Sequence, residues 1–137
     1  MLLVKTKLDL SSIEGIGIFA DQDIPEDTVV WTFDPTVDLV LTSEAIEALD
    51  ENCRSQVQKY AYEHKKGCYV LCGDDARFFN HYDNPNCLDY AVEGQEHGYT
   101  VADRDIFKGE ELTCDYELLG SDNAPLLDFQ VILPQKA

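Results

Sequence analysis

The apolar positions of this chain change period several times, and no single period lasts long. Ile16, Ile18 and Ala20 alternate with their neighbours, so they share one face of an extended run and leave Phe19 on the other. Thr28 to Phe33 is β-branched and aromatic, which predicts a second strand closed by Asp34-Pro35. From Ser43 to Tyr60 the period lengthens. Ile46, Leu49, Cys53, Val57 and Tyr60 recur every three or four residues and predict one helix with a single apolar stripe. Thr42 or Ser43 stands where a cap is needed; Glu44 and Glu47 suit the positive end of its dipole, Arg54 and Lys59 the other. Beyond it, Cys68 to Leu71 reads as a short strand, and Leu88 to Val92 pairs with Tyr99 to Ala102 around Glu93 to Gly98. Leu112 to Tyr116 is the last strand. Tyr82 to Asn86 resists regular structure, because Pro85 holds Asn84 extended and Asp and Asn crowd the rest. The pattern is mainly β, with many short strands, many turns and one main helix.

Composition narrows this picture. A chain of 137 residues fits one domain, residues 1–137, with 120–137 as a C-terminal tail. Its apolar piece, Leu126 to Leu133, has to pack on the domain. Hydrophobic residues make up 45% of the chain, enough for a core and too much for wholesale disorder. No apolar run reaches the roughly 18 residues of a membrane span, and Met1 to Leu10 lacks a signal-peptide layout. A soluble intracellular protein is expected, cytoplasmic or associated with nucleus or nucleoid. Five cysteines with no Cys-x-x-Cys unit read as reduced core thiols. A zinc site from His64, Cys68, Cys72 and His81 is disfavoured by the Cys68/Cys72 spacing.

Charge adds a partner class. Twenty-seven acids against ten bases give a net charge of −17, and no Lys or Arg occurs between Leu8 and Cys53. Such a field repels phosphate backbones, which disfavours direct nucleic-acid binding, and attracts basic proteins or lysine-rich tails. Self-association would need an apolar patch, which Leu126 to Ile132 could supply; oligomeric state stays open.

Three blocks carry chemistry: Gly15-Ile16-Gly17-Ile18-Phe19-Ala20, Ala76-Arg77-Phe78-Phe79-Asn80-His81 with Asn84-Pro85-Asn86-Cys87, and Gly109-Glu110-Glu111-Leu112-Thr113-Cys114-Asp115-Tyr116. In this order they resemble the SET-domain protein-lysine methyltransferases, over residues 13 to 116. The resemblance implies a β-clip-like fold of several small curved sheets, with a pseudoknot-like crossing of the Asn80-His81 segment and the stretch ending at Tyr116. It implies S-adenosylmethionine as cofactor and a lysine entering by a narrow channel from the opposite face. Tyr82 stands where the family often has Ser, and no cysteine-rich segment follows Tyr116.

The same resemblance distributes roles. Tyr116 would be catalytic, its hydroxyl steering the amine as a fixed dipole rather than acting as a base. Gly15, Ile16, Gly17, Asn80 and His81 would bind cofactor, Ile16 through its backbone with its side chain in the core. Tyr62, Cys114 and Phe129 would line the substrate channel, with Leu126, Leu127, Val131 and Ile132 beside Phe129 as a lid. Cys114, smaller than the Phe or Tyr common at that position, would leave room for di- or trimethylation. Tyr60 reads as core, Trp31 and Phe33 as core or cofactor-side wall, Arg77 as a structural salt-bridging residue, and Glu110 and Glu111 as turn polarity that attracts a basic partner. The rival of another class is an inactive module that grips basic proteins through its acidic face. A second enzymatic rival methylates a non-histone protein.

Overall fold

A computed structural model describes residues 1–120 and 122–134; Ser121 and residues 135 to 137 of the expected tail lie outside the described residues. In chain order its strands are β1 (Thr6–Leu10), β2 (Ile16–Ala20), β3 (Val29–Thr32), β4 (Leu39–Thr42), β5 (Tyr62–Lys65), β6 (Cys68–Leu71), β7 (Asn80–His81), β8 (Cys87–Tyr90), β9 (Tyr99–Ala102) and β10 (Thr113–Cys114). Helices α1 (Ser43–Glu47) and α2 (Glu51–Tyr60) lie between β4 and β5. The strands are too short for one large sheet and form four small ones: β1-β2, β3-β9-β8, β4-β6-β5 and β7-β10. This is the mainly β architecture that the short, interrupted alternations predict.

The core sits where β2, β3, β8 and β9 converge. Ile18, Ala20, Ile24, Val30, Cys87, Ala102, Ile106 and Leu112 form one buried cluster. Ile16 departs from expectation: its side chain is 47% exposed. It opens β2 just after the left-handed Gly15 (φ 50°), where the hairpin β1-β2 runs beyond the core.

The expected single helix is broken. α1 ends at Glu47, the Ala48 N–H reaches back to the Glu44 carbonyl, and Asp50 starts a second helix. Thr42 caps α1 by accepting from the Ala45 N–H at 3.1 Å. The apolar stripe has almost no core to face. Ile46 is buried, whereas α2 buries none of its residues and Cys53 is exposed. The core-thiol reading therefore holds for Cys72, Cys87 and Cys114 and not for exposed Cys53 or half-buried Cys68, although all five are free.

Two segments far apart in sequence meet in the parallel ladder β7-β10, with Thr113 opposite Asn80 and Cys114 opposite His81. Asn86, 3% exposed, clamps this crossing. Its Nδ2 donates to the Glu111 carbonyl at 2.8 Å and its Oδ1 accepts from the Thr113 N–H at 2.9 Å. The expected strand to Tyr116 stops at Cys114, because Asp115 Oδ1 accepts from the Glu117 N–H at 2.9 Å and folds Tyr116–Leu118 into a 3-10 turn. The tail docks mainly by backbone. Leu127 N–H donates to the Ala91 carbonyl at 2.7 Å and Val29 N–H to the Ile132 carbonyl at 2.8 Å, while Leu126, Ile132 and Leu133 stay exposed.

Candidate active site

A cavity of about 460 Å³ opens beside the crossing, within the ordinary size of a small-molecule site. Tyr62, Cys114 and Tyr116 all line it. Tyr62 opens β5 directly after α2, Cys114 ends β10, and Tyr116 starts the 3-10 turn. The crossing thus brings residues more than fifty positions apart to one wall. Trp31, 7% exposed, forms the floor and meets Tyr62 edge to face at 6.4 Å. These two rings also border a smaller cavity of about 50 Å³, lined by His64, Tyr90 and His97 among others. There Phe33, His97 and His64 stack in series, with centroids 3.8 Å and 4.2 Å apart.

Tyr116 is the best-placed polar group in the larger cavity. Its hydroxyl donates to the Phe79 carbonyl at 2.7 Å, and its N–H donates to His81 Nδ1 at 3.1 Å. That second bond puts the neutral imidazole proton on Nε2, which faces Asp83 Oδ1 at 3.1 Å. Desolvation, then the neighbouring Cys114 and Glu14, push the Tyr116 phenol above its ordinary range. It stays a neutral O–H, fit to orient and not to abstract a proton. Burial likewise raises the thiols of Cys72, to about 12, and Cys114, so neither is a thiolate nucleophile.

Asn80 and the Gly15-Ile16-Gly17 turn are joined directly. Asn80 Nδ2 lies 3.2 Å from the Glu14 carbonyl, 3.4 Å from the Ile16 carbonyl and 3.0 Å from Glu111 Oε2. Its amide nitrogen is thus spent on holding the turn. Glu111 also takes the Ser11 hydroxyl on both carboxylate oxygens, at 2.8 and 2.9 Å. A Cβ on Gly17 would lie 2.5 Å from Glu111 Oε2 and 3.1 Å from Ser11 Cβ, so only glycine leaves room for this knot. Glu111 is the residue that sequence reasoning misplaced: it is an internal tie rather than surface polarity. The available signal was its position one residue before the apolar Leu112; Glu111 itself pairs with Phe19 in an isolated bridge just ahead of β10.

Other expectations are redistributed. Arg77 donates from Nε and Nη2 to the Cys72 carbonyl, at 3.2 and 2.8 Å, and lies 5.6 Å from the Tyr60 ring centroid; its partners are a carbonyl and a ring rather than a carboxylate. Tyr60 is half-buried and lines the cavity rather than sitting in the core, packed edge to face on Phe78 at 5.5 Å. Phe129 stacks edge-on against Tyr90 at 5.0 Å and is not part of the cavity wall; Leu119 and Asn123 take that side.

The lining suits an adenosylmethionine-like zwitterion. Lys59 and Arg77 on the cavity wall supply positive charge for a carboxylate, and the Phe79 carbonyl and Tyr116 hydroxyl supply oxygens for a cation. Among the described residues, no group of three or more His, Cys, Asp or Glu is arranged to hold a metal ion, and no helix is long and apolar enough to cross a membrane.

Known proteins resemble this chain in both sequence and fold. The chain is 31% identical over 122 residues to the histone-lysine N-methyltransferase trr of Drosophila melanogaster, covering 78% of this chain and 4% of that one. It is 31% identical over 121 residues to the H3 lysine-36 specific histone-lysine N-methyltransferase of Schizosaccharomyces pombe, covering 83% and 15%. It therefore spans only a small fraction of those relatives' lengths. Its fold matches the crystal structure of a Plasmodium falciparum histone-methyltransferase candidate with a TM-score of 0.59, at 21% identity, over 82% of this chain and 93% of that one. The SET domain family model matches residues 15–117, and the chain belongs to the SET-domain family.

Proposed function

We propose that this protein transfers a methyl group from S-adenosylmethionine to the side-chain amine of lysine in a basic protein, with histone-like or other DNA-associated proteins first in line. The observation that carries the reading is the convergence of Tyr116 and the Phe79 carbonyl on a cavity also walled by Tyr62 and Cys114. The bound cofactor would supply an electrophilic methyl on a cationic sulfur. The chain's part is to bind, orient and desolvate. Lys59 and Arg77 on the cavity wall would receive the carboxylate of the cofactor, and the Gly15-Ile16-Gly17 turn, held by Asn80, would bind the cofactor through its backbone.

The amine would pass the Trp31–Tyr62 wall from the smaller cavity into the larger one, where Tyr116 Oη offers its lone pairs to the Nζ–H groups. Because that phenol already donates to the Phe79 carbonyl, its orientation is fixed before substrate arrives. Cys114 occupies little volume near the amine, which leaves space for a second or third methyl. The acidic surface supplies attraction to a lysine-rich tail, and such a substrate fits a protein working beside nuclear or nucleoid DNA without touching it.

Calorimetry with S-adenosylmethionine and turnover of Tyr116→Phe on a histone-tail peptide test the reading together. The variant should bind cofactor within about threefold of wild type and lose roughly 100-fold or more in turnover. Undiminished turnover in Tyr116→Phe rejects the role given to this residue. A wild-type protein that ignores cofactor yet binds basic proteins would instead be the non-catalytic module.

A further inference from the structure

The transfer described above leaves a carboxylate behind the cavity wall unused. Trp31, Thr100 and Asp89 form one cross-strand row of the sheet β3-β9-β8, and directly paired residues project to the same face. That face is the cavity side, since Trp31 and Thr100 both line the cavity with Tyr116. Thr100, 6% exposed, donates from Oγ1 to Asp89 Oδ1 at 2.5 Å. The other oxygen of Asp89, Oδ2, is shut off from solvent and has no hydrogen-bond partner. The titratable groups that face Asp89 are Tyr62 of β5, Cys87 of β8, Cys114 of β10 and Asp115 beyond it. None is a cation that could hold the carboxylate ionised.

We propose that Asp89, acting through the Thr100 hydroxyl, takes up the proton that an incoming lysine loses before it is methylated. The inference rests on the methyltransferase reading and deepens it. A lysine arrives as an ammonium, with a usual pKa of about 10.4, and has to become a neutral amine. The ammonium passes a proton to Thr100 Oγ1 while the hydroxyl's own proton moves to Asp89 Oδ1. The N–H bonding pair stays on nitrogen as the lone pair that will attack, Thr100 ends as a neutral hydroxyl, and Asp89 becomes a neutral acid that, once product leaves, returns its proton through Thr100 to water in the cavity. Asp89 touches no substrate and is a positioning residue; Thr100 is the contact. Desolvation by burial outweighs the Thr100 bond and lifts the Asp89 carboxyl from 3.8 to about 7, close to the value that suits proton uptake at neutral pH. A cation placed in the cavity lowers the Asp89 and lysine pKa values in the same direction.

Two measurements on the full chain test this. In a carbon-13 NMR titration without substrate, the Asp89 carboxyl should titrate near neutrality, higher in Thr100→Val and unchanged in Thr100→Ser. In single-turnover transfer to a synthetic lysine-rich histone-tail peptide, the wild-type rate should level off above about pH 7. Asp89→Asn and Thr100→Val should be slower at pH 7 by roughly 100-fold and should keep rising with pH without levelling, whereas Thr100→Ser, which keeps the hydroxyl, should retain the wild-type rate and profile. An Asp89 midpoint near 4, or folded variants with the wild-type pH profile, overturns the relay. If Asp89→Asn does not fold, the Thr100→Val and Thr100→Ser pair decides alone. Calorimetry with cofactor separates the two levels. A wild type that neither binds cofactor nor transfers methyl removes the methyltransferase reading and the relay with it, whereas active protein with coincident profiles removes only the relay.

Discussion

The Asp89 carboxyl should make the protein less stable as pH rises, in a window where most carboxylates do the opposite. Its folded pKa is raised from 3.8 to about 7 by burial. A group whose folded pKa lies above its unfolded value stabilises the fold in full below the unfolded value. That contribution is lost as pH rises through the folded one. The window is therefore pH 4 to about 7. A rise of three pH units, at about 1.4 kcal/mol each, gives a ceiling of about 4 kcal/mol. The cause is specific: Oδ2 is buried without a partner and only Thr100 offsets the charge on Oδ1. Asp89→Asn keeps the shape and the acceptor for Thr100 but cannot ionise. Urea unfolding of both proteins at steps between pH 4 and pH 8 isolates the effect, because every other carboxylate cancels in the difference. Wild type should lose stability relative to the variant by up to about 4 kcal/mol over this window. A difference that stays flat to within the roughly 10–15% error of such extrapolations would refute the assigned environment of Asp89.

Three further outcomes follow from the site. Gly17→Ala places a methyl 2.5 Å from Glu111 Oε2 and should break the Ser11–Glu111–Asn80 knot; cofactor affinity by calorimetry should fall by at least about tenfold, and retained affinity would show that the knot does not shape the site. Asn86→Ala leaves the Thr113 N–H and Glu111 carbonyl without their buried partner and should cost about 2–4 kcal/mol in denaturant unfolding, with a loss under 1 kcal/mol arguing that the crossing does not depend on this clamp. Mass spectrometry at long reaction times should find di- or trimethyl-lysine with wild type, and mainly monomethyl product with Cys114→Tyr, which fills the space beside Tyr116; monomethyl product alone from wild type counts against the small-residue argument.

Elements with a local signal were legible in sequence. The strand over Cys68 to Leu71 and the pairing of β8 with β9 follow from alternation and turn residues, and the structure returns them with little change. The helical span from Ser43 to Tyr60 is recovered, but in two pieces, because periodicity says nothing of the break. The stripe from Ile46 to Tyr60 has the right spacing, but a stripe reports a face and not what covers it. Here the second half faces solvent and ends at the cavity. Asp50 precedes the second helix without a side-chain cap bond, so the break has no strong local mark. Ile16 shows the same limit: alternation assigned it to the face of Ile18 and Ala20, but that face extends past the core at its first position.

The polar interior was the least legible part, and the reason is physical. A buried carboxylate, carboxamide or hydroxyl is held by partners distant in sequence, so no window along the chain contains the argument for its position. Asp89 looks like any strand Asp until Thr100, eleven residues on, is set opposite it. Glu111 looks like a turn acid until Ser11, a hundred residues earlier, closes on it. The acidic composition misleads in the same way. Asp38 is 2% exposed and accepts from the Asp34 and Gly73 N–H groups, Asp74 accepts from those of Leu2 and Ala76, and Asp23 from that of Lys108. Each fastens a loop between small sheets that have few ladder bonds of their own. Part of the charge of −17 is therefore structural. A fold assembled from two- and three-stranded sheets leaves many backbone donors at its seams, and carboxylates are the acceptors this chain uses there.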